Sequence, residues 1–262
     1  MQTVRRFANA PVTQMTLTVS FGPVFAGLTM LDVADLFQQY QARYPYFQHL
    51  PIAQPMFATA QPAGPIFAFG QPPPELPRVM FSAADLQTSI YFQFDRLSVD
   101  WRRQAPLGAG DTYPGYEAML ERLIAEIDVL RAWAKSRGLP DLLPQVGELA
   151  YSNAFELLPG GIRRSLADIF TFYRNSRQAE MHAFNCNWTE PLNMEQTEGY
   201  LNAVVQSTLL NDGQTGAIFN LLGLINMVGT DWISGQQLLS RLHDRIAEVF
   251  DGTIQPEVLQ KV

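Results

Sequence analysis

From Val12 to Phe21, Thr13, Gln14, Thr16 and Thr18 interleave with apolar residues, a pattern that predicts a strand with one buried face. The period then lengthens. Met30, Val33, Leu36, Phe37 and Tyr40 recur at helical spacing behind Thr29, a residue suited to cap a helix, and Tyr44-Pro45 ends the segment. Strands are predicted at Val79–Ser82 and at Thr88–Trp101, the latter long and aromatic with Tyr91, Phe92 and Phe94. Between the first helix and these strands, residues 51–77 are proline-rich around Pro72-Pro73-Pro74. Phe57, Ile66, Phe67 and Phe69 there predict short edge strands and loops lying on the core.

The clearest helical stripe follows. Tyr116, Met119, Leu120, Leu123, Ile124, Ile127, Leu130 and Trp133 fall on one side, with Glu117, Glu121, Arg122 and Arg131 on the other, and Gly138 and Pro140 stop the helix. The order then recurs. A strand is predicted at Val146–Phe155. After Gly160-Gly161, a helix is predicted through Ile162, Leu166, Ile169, Phe170 and Tyr173. Strands at Glu180–Trp188, Gly199–Leu209 and Ala217–Val228 come next. Ser234, with Gln237 three residues on, predicts the cap of a last helix. Its stripe is Leu238, Leu239, Leu242, Ile246, Val249 and Phe250, and Gly252 closes it.

Asp100-Trp101 and Asp231-Trp232 stand 131 positions apart, the same offset that carries Leu31 onto Ile162 and the first strand onto the one beginning near Val146. This agreement predicts an internal duplication. The expected fold is α+β: two β-α-β-β-β-α halves, residues 1–140 and 141–262, fused into one continuous curved antiparallel sheet with helices on one face. Joining the halves edge to edge removes one exposed edge from each.

Composition narrows the functional classes. The chain has 262 residues, 47% hydrophobic and only 16% charged, with a formal net charge of −7. That hydrophobic content excludes disorder, and the acid excess argues against unaided nucleic-acid binding. The single cysteine, Cys186, excludes an internal disulfide and any multi-cysteine metal site. Arg5 and Arg6 are followed by no unbroken apolar run, and the charge-free stretch Gly213–Thr230 contains Gln214, Asn220, Asn226 and four glycines. Neither a secretory leader nor a membrane span is therefore expected, and a cytoplasmic location is.

Candidate chemistry is sparse. His182 and Cys186 share a face of a predicted strand, but a rise of about 3.3 Å per residue puts their Cα atoms roughly 13 Å apart. His49, His182 and His243 fall on different elements without metal-ligand spacing, so no metal and no cofactor is expected. Gly108-Ala109-Gly110 lacks the lysine of a phosphate loop. The loop Arg102–Gly115 that contains it breaks the match between the halves. Long loops on a rigid sheet often carry function, although Pro114 also suits the first turn of the helix behind it. Arg96, Arg102, Arg103, Arg163, Arg164, Arg174 and Arg177 could form an anion-binding patch, or could be solvated or ion-paired.

Several phrases together resemble a known family. They are Phe7-Ala8-Asn9-Ala10-Pro11-Val12, Tyr44-Pro45, Val99-Asp100-Trp101-Arg102-Arg103, Tyr113-Pro114-Gly115-Tyr116, the strand Gly147–Asn153, and the closing Leu242-His243, Val249-Phe250 and Thr253-Ile254. In this order and spacing the chain resembles, over nearly its whole length, a sporadically distributed family of bacterial proteins whose activity is not established. Asp100-Trp101 stands where that family usually has Asn-Trp. The patchy distribution of the family implies horizontally transferred loci of anti-phage defence or toxin–antitoxin type.

The resulting expectation is a non-catalytic cytoplasmic binding or regulatory module. Its partner would be another protein, encoded nearby, with a homodimer also allowed and no membrane involved. The expected contact residues are Asp100, Trp101, Arg102, Arg103, Tyr113, Tyr116 and Asn153. Two rivals remain. One is a small-molecule or nucleotide-handling enzyme with a site between the halves, lined by Arg102, Arg103, Tyr113 and Asn153 with His182 as general base. The other is a curved sheet that binds nucleic acid.

Overall fold

The structure is a computed structural model that describes residues 11–25, 27–52, 78–105, 112–157, 165–173, 184–194, 197–209 and 215–259. Nine antiparallel strands form one sheet in the order β2-β3-β4-β5-β1-β6-β9-β8-β7. They are β1 (Val12–Ser20), β2 (Tyr46–Leu50), β3 (Arg78–Ser82), β4 (Thr88–Gln93), β5 (Arg96–Arg102), β6 (Val146–Glu156), β7 (Asn185–Met194), β8 (Thr197–Leu209) and β9 (Thr215–Asn226). The helices are α1 (Met30–Tyr40), α2 (Tyr116–Ser136), α3 (Trp232–Thr253) and the short α4 (Pro256–Leu259). The fold class is α+β. Residues before and after position 140 meet where β1 pairs with β6, from Ser20 opposite Val146 to Val12 opposite Asn153, so one sheet spans both.

Strand alternation assigns each side chain to a face. Met15, Leu17 and Val19 of β1 lie beside Trp101, Val99 and Leu97 of β5 and beside Tyr151, Leu149 and Gly147 of β6. The three long helices cover this face. Phe37 and Tyr40 of α1 stack on Phe81, and Trp133 of α2 meets Phe25, which packs on Phe92. Phe250 of α3 stacks on Phe155 and Phe219. Two glycines seat α3 close to the sheet: a Cβ at Gly223 would lie 2.5 Å from Leu242 Cδ1, and one at Gly147 would lie 2.9 Å from Leu239 Cδ2.

Local chemistry accounts for several element boundaries. Asp32 reaches back to the Thr29 backbone N–H at 2.8 Å, fixing the start of α1. The α1 and α2 helices are tied by polar bonds. Trp133 donates to Asp35 at 2.8 Å, and Arg137 pairs with both Asp32 and Asp35. Nearby, buried Glu126 accepts a hydrogen bond from the Tyr44 hydroxyl at 2.8 Å and one from Arg43 at 2.5 Å.

Four expectations are corrected. Thr88–Trp101 is two strands, because Gln93 pairs with Arg96 across a tight turn at Phe94-Asp95. Such turns are usually marked by glycine. Here tertiary bonds hold the turn instead: Phe21 N–H donates to the Asp95 carbonyl, Phe25 N–H donates to the Phe94 carbonyl, and Arg96 pairs with the Asp95 carboxylate. The cap of α3 is Asp231, whose carboxylate accepts from the Ser234 backbone N–H at 2.7 Å, rather than Ser234 itself. Gly252 lies inside α3, which runs on to Thr253. Finally, Asp100-Trp101 sits within strand β5 whereas Asp231-Trp232 starts a helix, so the two dipeptides are not structural counterparts.

In the predicted helix around Ile162–Tyr173, the described part is a single 3₁₀ turn at Leu166–Asp168, capped by Ser165 and Asp168. Phe57, Ile66, Phe67, Phe69, Gly108-Ala109-Gly110, Ile162, Arg163, Arg164, Arg174, Arg177 and His182 lie outside the described residues.

Candidate functional site

The expected contact residues divide between the two faces of the sheet. Trp101, Tyr113 and Tyr116 lie on the helix-covered side. The rings of Trp101 and Tyr113 are 5.4 Å apart, and Arg103 sits 5.8 Å from the Trp101 ring while donating to the Val12 carbonyl. The Tyr113 hydroxyl is 3.3 Å from that of Tyr151, which in turn lies 3.1 Å from His243 Nδ1. Tyr116 stacks flat on His243, ring centroids 4.0 Å apart, and its hydroxyl reaches Ser240. Burial holds the Tyr113 and Tyr151 hydroxyls well above the usual phenol range, pushes Tyr116 up to about 12, and holds His243 below its ordinary value. All four groups are therefore neutral near neutral pH. The cluster is an uncharged hydrogen-bonded clamp joining α2, β6 and α3.

Asp100 and Arg102 belong to the opposite face, where none of the three long helices packs. Asp100 is 2% exposed and accepts from Gln14 Nε2 at 2.7 Å and from Thr16 Oγ1 at 2.6 Å. Arg102 is exposed at the strand end. Asn153 is on neither surface. It is buried on the helix side and donates to the Phe219 carbonyl at 3.2 Å, a structural bond between β6 and β9. Arg102 and Arg103 thus point to different sides of the sheet, and Asn153 is buried in its bond to β9.

The helix-free face holds an arrangement that the sequence did not expose. Register aligns Met80, Tyr91, Ser98, Thr18, Glu148, Leu224 and Tyr200 in a row across seven strands. Thr18 and Ser98 are buried and bonded to each other at 2.9 Å. Gln93, one strand position away, is 1% exposed and donates to Asp95. Arg96 grips Asp95 through two bonds of 3.0 Å and lies 3.8 Å from Glu148. Arg78 stacks over Tyr91 at 4.4 Å from the ring centroid.

Charge on this face is only partly matched. Asp95 and Arg96 satisfy each other, and Asp100 is satisfied by Gln14 and Thr16. Glu148 accepts no hydrogen bond among the described residues, and burial raises its carboxyl above the usual range despite the opposing pull of Arg96. No carboxylate among the described residues lies within ion-pair distance of Arg78, whose guanidinium is held down by burial, with Arg96 adding repulsion. No side-chain polar atom among the described residues is both fully buried and without a partner, so Arg78 and Glu148 keep an edge toward solvent.

Arg78 and Glu148 were not expected as site residues, and Tyr91 was expected only as part of an aromatic strand. Their signal was available in the alternation itself: Arg96, Ser98 and Asp100 occupy every second position of β5, opposite the apolar Leu97, Val99 and Trp101. Among the described residues no cluster of three potential metal ligands occurs, and no helix is long and apolar enough to cross a membrane. An apolar cleft of about 210 Å³ runs between α2 and α3, lined in part by Leu123, Ile127, Trp232 and Leu239. No protein-family description, curated protein or solved structure matches the chain. The fold therefore defines an α+β protein with a nine-stranded antiparallel sheet, one face of which is polar and carries no helix among the described residues.

Proposed function

We propose that the protein is a non-catalytic binding and regulatory module, with the helix-free face of the sheet as its recognition surface. The observation that carries this reading is the polar row from Tyr91 to Glu148, built from strands of both halves of the chain, with Ser98 and Thr18 buried at its centre and Tyr91 and Glu148 half-buried at its ends. A sheet face needed only for stability gains little from burying serine, threonine and carboxylate side chains there. A face that recognises polar groups requires them. The separation of Arg102 from Arg103, and the neutral, internally bonded state of the Tyr151–His243 cluster, count against an enzyme site between the halves.

The regulated partner in this reading is another protein, encoded beside the gene, in the cytoplasm. The resemblance to a sporadically distributed bacterial family favours a defence or toxin–antitoxin setting. An origin by duplication draws support from the strand order, in which β1 lies beside β5 and β6 lies beside β9, the last strand of each half.

Co-expression with each neighbouring gene product, followed by affinity capture, tests the reading. The wild type should retain one product. An Arg102→Glu variant, altered at an exposed position on the same face at the end of β5, should lose it with an unchanged melting temperature. Ile233→Arg, at a position 68% exposed on α3, should keep it. Capture of no neighbour, or equal capture by all three proteins, overturns the proposal.

A further inference from the structure

Helices α2 and α3 run antiparallel and pack unevenly along their length. Tyr116, the first residue of α2, stacks on His243 in the middle of α3 at 4.0 Å between centroids. Toward the other end, Arg131 of α2 sits 5.7 Å from the ring of Trp232, the first residue of α3. Here the helices part around the cleft of about 210 Å³, which Met227 and Pro144 also line.

Large apolar side chains are exposed beside this cleft. Ile233, one of its lining residues, is 68% exposed. Val228 and Leu143, the sequence neighbours of Met227 and Pro144, are 69% and 61% exposed. Single exposed apolar residues are ordinary, whereas a cluster of them bordering an apolar hollow marks an interaction surface. The projecting Ile233 is also rigidly presented. Asp231 caps its helix, and the Trp232 indole donates to the Leu142 carbonyl at 2.7 Å. Association therefore costs little additional ordering of this segment.

We infer that this end of α2 and α3 is the interface of a two-fold symmetric homodimer, each copy inserting its Ile233 into the cleft of the other. A knob and a hollow lie side by side on one surface, and a two-fold axis converts that adjacency into two identical insertions. An apolar cavity of about 150 Å³ accepts a molecule the size of benzene, so the cleft has room for a branched aliphatic side chain. Charge at the rim is self-complementary. Asp128 and Arg131 stand one turn apart on α2, with side chains 65% and 43% exposed. The same axis sets each Arg131 against the other copy's Asp128. A rim of one sign, on a chain of net charge −7, would instead repel its own copy. The interface lies on the opposite side of the sheet from the recognition face, so dimerisation and capture of another protein are separable.

Sedimentation velocity over a series from about 1 µM to about 300 µM covers the affinities expected of a small interface. The wild type should pass from monomer to dimer, and Ile233→Arg should stay monomeric throughout. Asp128→Arg and Arg131→Asp each place like charges across the axis, so each alone should weaken association at least tenfold. Mixing these two variants sets opposite charges together again and should restore a dimer of one copy of each. Arg122→Gln, exposed elsewhere on α2, should leave association unchanged. Circular dichroism checks that each variant is folded. A wild type that remains monomeric overturns the inference, as does a dimer that survives Ile233→Arg or a pair of charge variants that mixing does not rescue. If a monomeric wild type captures a neighbouring gene product that Ile233→Arg loses, the cleft belongs to that protein and not to a second copy.

Discussion

Two polar groups of similar size lie on opposite sides of the same strands, and they differ in what surrounds them. Under the helices, Tyr113, Tyr151, Tyr116 and His243 are kept neutral by burial and bonded to one another. On the other side, Glu148, on the same strand as Tyr151, and Arg78, four strands away, carry charges that burial disfavours, and Arg96 at 3.8 Å offsets that of Glu148 only in part. The first arrangement suits a joint between elements, since it demands nothing from outside. The second suits a binding site, since a ligand can supply what the fold withholds. Polar residues alone therefore do not mark a site; unmatched ones do.

The sharpest way to break this comparison is to truncate adjacent residues that face opposite ways. Phe219 is fully buried under α3 against Phe170, Trp188 and Phe250, and Asn220 faces the helix-free side. Phe219→Ala should lower unfolding stability by about 3–5 kcal/mol, whereas Asn220→Ala should change it by less than about 0.5 kcal/mol. Chemical denaturation of both variants measures this. Similar losses would mean that both faces are core.

A smaller effect is expected from crowding the seat of α3. At Gly223 the nearest atoms to an added Cβ are the ends of Leu242 and Ile246, at 2.5 and 3.0 Å, which can turn aside only in part. Gly223→Val should cost about 1–3 kcal/mol by overpacking. Chemical denaturation of the folded variant checks this. An unchanged stability would show that the ends of Leu242 and Ile246 turn aside freely.

Much of this frame was legible in the sequence. Periodicity located β1, α1, α2, β6, β8, β9 and α3 because each repeats an apolar residue at the spacing of its own geometry over many residues. What escaped depends on distant partners. The Phe94-Asp95 turn carries no glycine and is held by Phe21, Phe25 and Arg96. The Asp100-Trp101 and Asp231-Trp232 match is real in the letters and empty in space, since one pair is strand and the other a helix start. Among the expected contact residues, Trp101, Arg103 and Tyr113 do come together, Tyr113 and Arg103 both packing against the Trp101 ring, while Tyr116 stacks on His243. The polar row from Tyr91 to Glu148 was hidden because its residues line up only when the strand order and register are known.

Acidification probes the clamp under the helices. His243 packs on Tyr116 and Tyr151, with Glu117 and Asp244 the charged groups near it, and burial lowers its folded-state pKa below the ordinary 6.5. Below pH 6.5 the unfolded chain binds a proton that the folded chain resists. Stability contributed by neutral His243 is thus complete above that value and is lost as pH falls through the folded-state pKa. His243→Gln should flatten this acid-side slope in unfolding curves measured between pH 7 and pH 5. An unchanged slope would place the titration elsewhere.

Glu148 makes the opposite and smallest prediction. Its carboxyl is raised above the ordinary 4.5, so the folded state favours the protonated acid. Below pH 4.5 both folded and unfolded chains carry the proton and nothing is lost. As pH rises through the folded-state value, the folded chain must ionise Glu148 in a site that hydrates it poorly, and stability declines. Glu148→Gln should therefore be slightly more stable than the wild type at pH 7, and the gain should vanish below pH 4.5. Arg96, 3.8 Å away, offsets part of the effect and keeps it small. A stabilising loss of charge on this face, beside a destabilising loss of the ring at Phe219, is the signature of a group retained for recognition at some expense in stability. If Glu148→Gln is instead destabilising at neutral pH, the ion pair with Arg96 outweighs the cost of burying the carboxylate, and Glu148 is a structural residue of the sheet.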